Sequence, residues 1–132
     1  MMVPLTSTKS LGNAGESFVV NYLQQQGFTV CAQNYRKFFG EIDIIAHKKE
    51  LYVFVEVKTR KSADMPMGQL ISPVKQKKII KTAQTFIAEH QLNRNNVCRF
   101  DVALVLKNSI SFSIDYLENA FTPQEDRYDN YY

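Results

Sequence analysis

The sequence lacks the segments that would place a protein in a membrane or send it out of the cell. No run approaches the roughly 18 consecutive apolar residues of a membrane-spanning helix. The N-terminal stretch M-M-V-P-L-T-S-T-K-S has neither the charged start nor the long apolar core of a signal peptide. We therefore expect a cytoplasmic protein with no membrane partner.

Cysteine is scarce as well, and tryptophan is absent from the 132 residues. The two cysteines, Cys31 and Cys98, lie in apolar, strand-like runs and form no metal-type cluster, so free thiols buried in the core are expected. The sequence also lacks internal repeats, a P-loop and a Ser-His-Asp signature. Isolated His47 and His90 are expected at a strand end and a helix end.

The composition that is present fits one globular domain. Hydrophobic residues make up 45% of the chain, which is enough for a real core. We assign the domain to residues 8–121 and expect the polar, acidic tail over residues 122–132 to be disordered. The net charge of +3 is compatible with nucleic-acid binding but does not by itself predict it.

The most informative stretch runs from Gly40 to Arg60. Two segments in it, Glu41–His47 and Leu51–Thr59, alternate in character and are joined by a polar K-K-E turn, a pattern typical of a β-hairpin. Both faces carry large apolar residues, so the charged side chains are expected at the rim of a cleft. In the first strand, Glu41, Asp43 and Ile45 should lie on one face, and Ile42 and Ile44 on the other. In the second strand, one face should carry Tyr52, Phe54, Glu56 and Lys58.

The spacing of the charges in this hairpin predicts a metal site. A register that pairs Lys48 with Leu51 places Asp43 opposite Glu56 and Glu41 opposite Lys58. Opposed like charges are destabilising, so something must offset the repulsion between the two carboxylates. A divalent ion such as Mg²⁺ fits between them. Lys58 lies on the same face, where it can activate a water or stabilise a developing charge.

The order Asp, then Glu-x-Lys, resembles the core of the Asp–(Asp/Glu)-x-Lys nuclease superfamily, which has the restriction-endonuclease-like fold. The segments G-E-I-D-I-I-A from Gly40 and F-V-E-V-K-T-R from Phe54 resemble more closely the YraN-type family of predicted bacterial nucleases, which is similar to archaeal Holliday junction resolvases. The resemblance covers roughly Gly12 to Phe121. It implies an α/β fold, namely a three-layer sandwich with a mixed central sheet flanked by helices. Further matches are G-x-x-G-E at Gly12–Glu16, N-x-R at Asn34–Arg36 and R-F-D-V at Arg99–Val102.

This resemblance implies roles for five residues. Asp43 and Glu56 would hold Mg²⁺ or Mn²⁺, with Glu16 as a third or outer acid. Lys58 would orient or deprotonate the attacking water, and Glu41 would position Lys58 or the metal. The simpler alternative for Glu16 is a first-turn acid favoured by the helix dipole.

Two helices are predicted from apolar stripes, one from about Thr8 to Gln26 and one that runs to about Gln91. The second has Ser72 as its cap and Pro73 at its first position. Its first half carries four lysines, which either form a solvated face or contact DNA. The residues expected to bind nucleic acid are Arg36, Arg60, Lys75, Gln76 and Lys78.

The remaining segments predict strands on either side of the hairpin. Phe28–Arg36 is expected as an edge strand and Cys98–Leu106 as a central strand. Ile110–Ile114 is expected as a further edge strand, after which Tyr116–Phe121 packs back. Asp101 is expected to serve as an ion-pair partner rather than as a metal ligand.

Together these features predict a metal-dependent nuclease-like protein that hydrolyses phosphodiester bonds in DNA, in preference to RNA. Branched or structured DNA is one class of substrate, and a homodimer is left open. The main alternative is a nucleic-acid-binding or assembly module that keeps the fold without turnover. A second alternative is a structural protein with Glu41–Lys58 and Asp43–Arg60 salt bridges. Exposed pairs contribute only ~0–1 kcal/mol, which does not explain three acids placed together.

Overall fold

A computed structural model describes residues 8–61 and 71–123, with side chains described from residue 13 onward within those ranges. The predicted disordered tail lies outside them, apart from residues 122 and 123. No helix in the described ranges is both long enough and apolar enough to cross a membrane. The elements are α1 (Thr8–Gln25), β1 (Thr29–Lys37), β2 (Gly40–Lys48), β3 (Leu51–Arg60), α2 (Pro73–Glu89), β4 (Val97–Lys107) and β5 (Phe112–Phe121).

The five strands form one mixed sheet in the order β1-β2-β3-β4-β5. Strand β3 pairs with β4 in parallel, from Leu51↔Val97 to Arg60↔Leu106, and the other neighbours are antiparallel. A parallel pair needs a crossover connection, and α2 lies within it. The predicted edge position of β1 and the central position of β4 are thereby confirmed.

The helices cover opposite faces of the sheet, so the protein is an α/β sandwich of three layers, as predicted. On one face, Val19 and Leu23 of α1 pack against the valines and alanines of the central strands. On the other face, Phe86 of α2 packs edge-on against Phe54, whose ring in turn stacks on Phe100. Each face of the sheet therefore has its own apolar core.

Local sequence determines where both helices end or begin. Helix α1 is followed by Gly27 at φ 92°, and the Phe28 N–H donates to the Leu23 carbonyl while the Gly27 N–H donates to Gln24. These two bonds form a Schellman motif, for which glycine is favoured. Helix α2 begins with Pro73, and the Ser72 hydroxyl accepts from the Lys75 N–H at 3.2 Å.

Two glycines let the helices approach the strands that carry the predicted site. A Cβ at Gly15 would overlap Thr59 Oγ1 of β3, and one at Gly40 would lie 2.5 Å from Thr82 Oγ1 and 2.9 Å from the Lys78 carbonyl oxygen of α2. Any larger residue would push the helix away. The glycines of G-x-x-G-E and G-E-I-D thus bring α1 and α2 close to the ends of β3 and β2.

The strict alternation predicted for β2 is wrong at one point. Ile42 packs with the core under α2, whereas Ile44 packs with the core under α1. The regular alternation of side chains between the two faces of the sheet is interrupted near Asp43. At this point β2 is no longer paired with β3, and Asn34 of β1 has a φ of 52°. The interruption is possible because β2 is unpaired from β3 here and because the backbone of β1 is irregular at Asn34.

Strand β5 and the cysteines also differ from expectation. Residues 112–121 form one continuous strand rather than a short strand and a returning segment. A β-bulge interrupts the pairing of β5 with β4 between Phe100 and Val102. Within β5, Asn119 has a φ of 52°, and its N–H donates to the Asp101 carboxylate. Cys31 and Cys98 are exposed rather than buried, since β1 is an edge strand and Cys98 lies at the start of β4.

Asp101 forms the ion pair that was expected. Its carboxylate is fully buried and accepts two bonds from Arg99, at 2.9 and 3.0 Å, and one from the Tyr116 hydroxyl. Burial and the adjacent Asp101 raise the pKa of Tyr116, and hydrogen bonding to Asp101 raises that of Arg99. This closed network fixes β4 to β5 and leaves Asp101 no role as a ligand. His47 and His90 lie at a strand end and a helix end, as predicted.

Candidate active site

The predicted acids lie where β2 and β3 separate. The hairpin has the predicted register, starting with Lys48↔Leu51, but its last pair is Ile44↔Val55. Beyond that pair, Asp43 Oδ2 accepts from the Val57 N–H at 2.8 Å. A side-chain carboxylate therefore takes the place of the next backbone acceptor. The strands diverge around Asp43 and Glu56 and open a cleft at the end of the sheet.

Glu56 is the deepest acid in this cleft and has two lysines beside it. Glu56 is only 5% exposed to solvent. Glu56 Oε1 lies 2.6 Å from Lys75 Nζ and 3.6 Å from Lys58 Nζ. Lys75 comes from the first turn of α2, so its approach depends on the packing of that helix against β2. A buried carboxylate and two cations thus share one small volume.

Asp43 lies close to Glu56, in surroundings that disfavour its charged form. Burial, followed by repulsion from Glu56, raises the pKa of Asp43 to about 7, although the Val57 N–H opposes the rise. Repulsion from Glu16 adds to it. The crowding of Asp43 against Glu56 that was predicted from the spacing is therefore present.

Glu16 lies on α1, and it is near enough to the acids of the cleft to repel them. Burial raises the pKa of Glu16, and repulsion from Glu41 and Glu56 adds to the rise, whereas a hydrogen bond with the Asn34 side chain lowers it. Asn34 can point toward Glu16 because its backbone has the left-handed φ that asparagine tolerates. Its only signal in the sequence is its place in the N-x-R motif.

The two lysines of the cleft have pKa values shifted in opposite directions. Burial and the adjacent Lys75 and Arg60 lower the pKa of Lys58, although attraction to Glu56 opposes the fall. Burial, the largest single cause, would lower the pKa of Lys75, but hydrogen bonding to Glu56 and Lys58 together with attraction to Glu56 and Asp43 raises it. Lys58 is therefore the lysine that loses its proton more easily, and Lys75 is the fixed cation.

Glu41 lies at the mouth of the cleft rather than beside Lys58. Its carboxylate forms an ion pair with Arg36, its cross-strand neighbour on β1, at 3.0 Å. Arg60 donates to its neighbour's carbonyl, that of Thr59. Within the described part of the chain, neither Glu41–Lys58 nor Asp43–Arg60 forms a salt bridge. The pairs required by the purely structural alternative are not formed.

The other predicted nucleic-acid contacts lie on α2 around the cleft. Lys78 is exposed, and Gln76 donates from Nε2 to the Ile71 carbonyl at 3.0 Å, which ties down the start of the helix. The cleft has a volume of about 130 Å³, and its mouth opens beside the β1–β2 turn. Its lining consists of Gly40, Glu41, Asp43, Glu56, Lys75, Lys78 and Ile79.

Comparison with known proteins identifies the family. The model of a family described as "Uncharacterised protein family UPF0102" matches residues 15–105, which include every acid and both lysines of the cleft. The chain belongs to the UPF0102 family. This membership confirms the YraN-type resemblance predicted from the sequence motifs.

Three UPF0102 relatives illustrate how far the similarity extends. A "UPF0102 protein" of Synechococcus sp. (strain JA-3-3Ab) is 40% identical over 122 residues, which cover 87% of this chain and 92% of the relative. One from Dictyoglomus turgidum (strain DSM 6724 / Z-1310) is 40% identical over 119 residues, covering 87% and 99%. One from Clostridium botulinum (strain Hall) is 39% identical over 116 residues, covering 86% and 94%. Their names state the family and no activity.

The donor chemistry of this UPF0102 cleft suits a divalent ion. Across residues 8–61 and 71–123, no three Asp, Glu, His or Cys side chains are gathered closely enough to share one ion. Asp43 and Glu56 nevertheless crowd each other in a half-buried cleft, and Glu16 is near enough to raise the pKa of Asp43. Carboxylate oxygens are the ligands that Mg²⁺ and Mn²⁺ prefer. Asp43 and Glu56 therefore have the chemistry of the predicted ligand pair, whereas Glu16 does not join them in one group close enough to share an ion.

Proposed function

We propose that this UPF0102 protein is a metal-dependent nuclease that hydrolyses phosphodiester bonds in DNA. The observation that carries the proposal is the crowding of Asp43 and Glu56 in the cleft where β2 and β3 separate, with Lys58 Nζ 3.6 Å from Glu56 Oε1. A cleft of two repelling carboxylates beside a lysine of lowered pKa has no evident use in stabilising the sheet. It suits the hydrolysis of a charged ester.

In this proposal, Asp43 and Glu56 would hold Mg²⁺ or Mn²⁺, with Glu16 as an outer acid. Bound there, the ion would neutralise negative charge on the phosphate and on the leaving oxygen. Hydrogen bonding with the Asn34 side chain lowers the pKa of Glu16 and so favours its charged form. The Val57 N–H fixes Asp43 Oδ2 at 2.8 Å and so orients that carboxylate.

Lys58 is the residue that we assign to the attacking water. Burial and two adjacent cations lower its pKa, so an uncharged amine able to accept a proton is more accessible than for a surface lysine. Its Nζ lies 3.6 Å from Glu56 Oε1. In its protonated form the same ammonium can bind a phosphate oxygen.

Positive charge around the cleft supports a nucleic-acid substrate. Arg36 lies on β1, beside the mouth, and Arg60 is the last residue of β3. Lys75 and Lys78 lie on the first turns of α2, with Gln76 between them. We assign DNA rather than RNA as the substrate, with branched DNA as one class of it. We place the activity in the cytoplasm, and a homodimer fits the proposal as well as a monomer.

Cleavage of plasmid, single-stranded and branched DNA in Mn²⁺ tests the proposal. The wild-type protein should cut at least one substrate, and Lys58→Ala should lose the activity while keeping its melting temperature. Arg94→Ala is the matched control, because Arg94 is an exposed cation in the α2–β4 connection and so lies away from the cleft. Equal rates for Lys58→Ala and Arg94→Ala would exclude the cleft as the source of the activity.

A second candidate is a DNA-binding module without turnover. The observation that favours it is the Lys75 ammonium at 2.6 Å from Glu56, because a lysine in that position already satisfies the deepest acid without an ion. Isothermal titration with Mn²⁺ separates the two candidates. A nuclease should bind the ion in a manner that depends on Asp43, whereas a salt-bridged module should show no such binding.

A further inference from the structure

The turn between β1 and β2 carries an exposed aromatic pair. Phe38 and Phe39 occupy the two positions between the paired residues Lys37 and Gly40. Phe38 is 100% exposed, and its ring meets Phe39 edge-on with centroids 5.0 Å apart. Phe39 is itself covered by Lys81 of α2, whose Nζ lies 4.7 Å from the ring centroid. The inner ring is thus attached to α2, and the outer ring is presented to solvent.

Folding does not account for Phe38. Two-residue turns normally use glycine, asparagine, aspartate, serine or proline, so turn geometry gives no reason for two phenylalanines. The Phe38 ring is not part of either apolar core. A single exposed apolar side chain is common on protein surfaces, and the surroundings of this one are what distinguish it.

Those surroundings are basic and continuous with the candidate active site. A shallow groove of about 280 Å³ runs along the turn and shares Gly40, Glu41 and Lys78 with the lining of the acidic cleft. Arg36 and Lys37 form its other wall, where Arg36 is paired with Glu41 and Lys37 with Glu89, so Lys78 is the cation of the groove for which the described residues show no ion pair. An aromatic ring in a basic groove is the combination with which proteins bind single-stranded nucleic acid, through phosphates and stacked bases.

We propose that Phe38 stacks against an unpaired base of the strand whose backbone enters the acidic cleft. The inference rests on the proposed function and names the substrate class, which is DNA with a single-stranded or branched segment. A base inside an intact duplex already has both faces covered by its neighbours. It therefore offers no surface to Phe38, and the turn discriminates against uninterrupted duplex.

The geometry sets how far the stacked base lies from the cleft. Asp43 is three residues beyond Gly40 on β2, which corresponds to about 10 Å along a strand. Stacked nucleotides rise about 3.4 Å each, so the base lies a few nucleotides from the phosphate at the acids. Lys78 is placed between the two points and can bind an intervening phosphate.

Binding without cleavage tests the inference. Fluorescence anisotropy in Ca²⁺, with labelled single-stranded, forked and closed duplex DNA, should show that Phe38→Ala weakens binding to the first two by about tenfold. Closed duplex should be bound equally by both proteins. Phe38→Tyr should retain the affinity. Val97→Ala is the matched control, because Val97 is exposed at the opposite end of the sheet.

The absence of tryptophan from the chain provides a second measurement. In Phe38→Trp the new indole is the sole tryptophan, and its fluorescence should be quenched by single-stranded DNA but not by closed duplex. A Val97→Trp protein should show neither change. Unquenched fluorescence, together with an unchanged affinity of Phe38→Ala, would overturn the inference.

The inference and the proposed function fail in different ways. If Phe38→Ala binds every DNA like the wild type while Lys58→Ala abolishes cleavage, the nuclease stands and the stacking role is wrong. If no DNA of any form binds or is cut, the proposed function itself is wrong. Equal weakening toward single-stranded and duplex DNA would make Phe38 part of a general surface and would also contradict the inference.

Discussion

Lys75 Nζ lies 2.6 Å from Glu56 Oε1, closer than Lys58 Nζ at 3.6 Å from the same oxygen. The sequence had suggested Lys75 as a phosphate contact on a basic helix. Its position shows that α2 also supplies a counter-charge to the most buried acid of the cleft. A cation that approaches Glu56 therefore has to compete with Lys75 or displace it.

The first prediction concerns this competition. Lys75→Gln leaves a buried carboxylate without its nearest cation, so the metal-free protein should lose stability. Breaking a fully buried pair costs 3–5 kcal/mol. Because the Lys75 side chain is 42% exposed, we expect about 1–2 kcal/mol. Thermal melts in EDTA measure the loss, and Mn²⁺ should restore the melting temperature.

Lys77→Gln is the control for that measurement. Lys77 is exposed on the same turns of α2, so its replacement removes an equal charge at a distance from Glu56. Equal melting temperatures for the two variants, with no response to Mn²⁺, would show that the Lys75–Glu56 contact carries no stability.

The second prediction concerns pH. The pKa of Asp43 is about 7 in the folded protein, above its ordinary value of 3.8, so the folded state binds the proton more tightly than the unfolded state. The resulting stability is fully present below about pH 4 and is lost as the pH rises through about 7. Metal-free protein should therefore melt at a higher temperature at pH 5.5 than at pH 8. Asp43→Asn should reduce this difference, whereas Asp115→Asn, at an exposed position of β5, should not.

The third prediction concerns the proton on Lys58. Burial and the adjacent Lys75 lower the pKa of Lys58, so cleavage should increase with pH as Lys58 loses its proton. Lys58→Arg keeps the charge but cannot lose its proton, and the rate should fall by about 10²–10⁴-fold at all pH values. Rates measured between pH 6 and 9 with saturating Mn²⁺ test this. Near-wild-type rates in Lys58→Arg would instead assign Lys58 to charge stabilisation.

The fourth prediction concerns the fit of α1 against β3. In Gly15→Ala the new methyl group would overlap Thr59 Oγ1. Overpacking of this kind costs about 1–3 kcal/mol and should also move Glu16, the next residue, away from the acids. Cleavage and the melting temperature should therefore both fall. The double variant Gly15→Ala/Thr59→Ala should recover both, and a failure to recover would place the cost elsewhere.

The fifth prediction concerns the lysines of α2. The slope of log K against log salt for duplex DNA changes by about 0.9 for each phosphate contact removed. Lys78→Gln should make the slope less steep by about 0.9, the value for one phosphate contact. The double variant Lys75→Gln/Lys78→Gln should do so by about twice that amount if Lys75 moves from Glu56 to a phosphate on binding. Lys49→Gln, at the opposite end of the hairpin, should leave the slope unchanged.

Much of the hairpin could be predicted from the sequence because its determinants are local. Alternation and the K-K-E turn predict the register from Lys48↔Leu51, and Ser72 and Pro73 predict the start of α2. The separation of the strands at Asp43 could not be predicted in this way. It depends on a carboxylate that captures the Val57 N–H, and no period in the sequence encodes that choice.

The contacts between distant segments were the least predictable part of the candidate site. Lys75 meets Glu56 only because α2 crosses the sheet close to Gly40. Asn34, which has a left-handed backbone conformation, interacts with Glu16 from another element of the fold. In both cases the sequence showed the residue type, but the partner came from another layer of the fold.

The parallel pairing of β3 with β4 has a consequence for the order in which the protein folds. Antiparallel β2 and β3 close through a short turn, so Asp43 and Glu56 can be brought together early and at little entropic cost. Strand β4 can join β3 only after the chain has passed through α2. We therefore expect pulsed hydrogen exchange to protect the amides of β2 before those of β4. During that interval the two acids repel each other without Lys75, so divalent ions present during refolding should increase the folding rate.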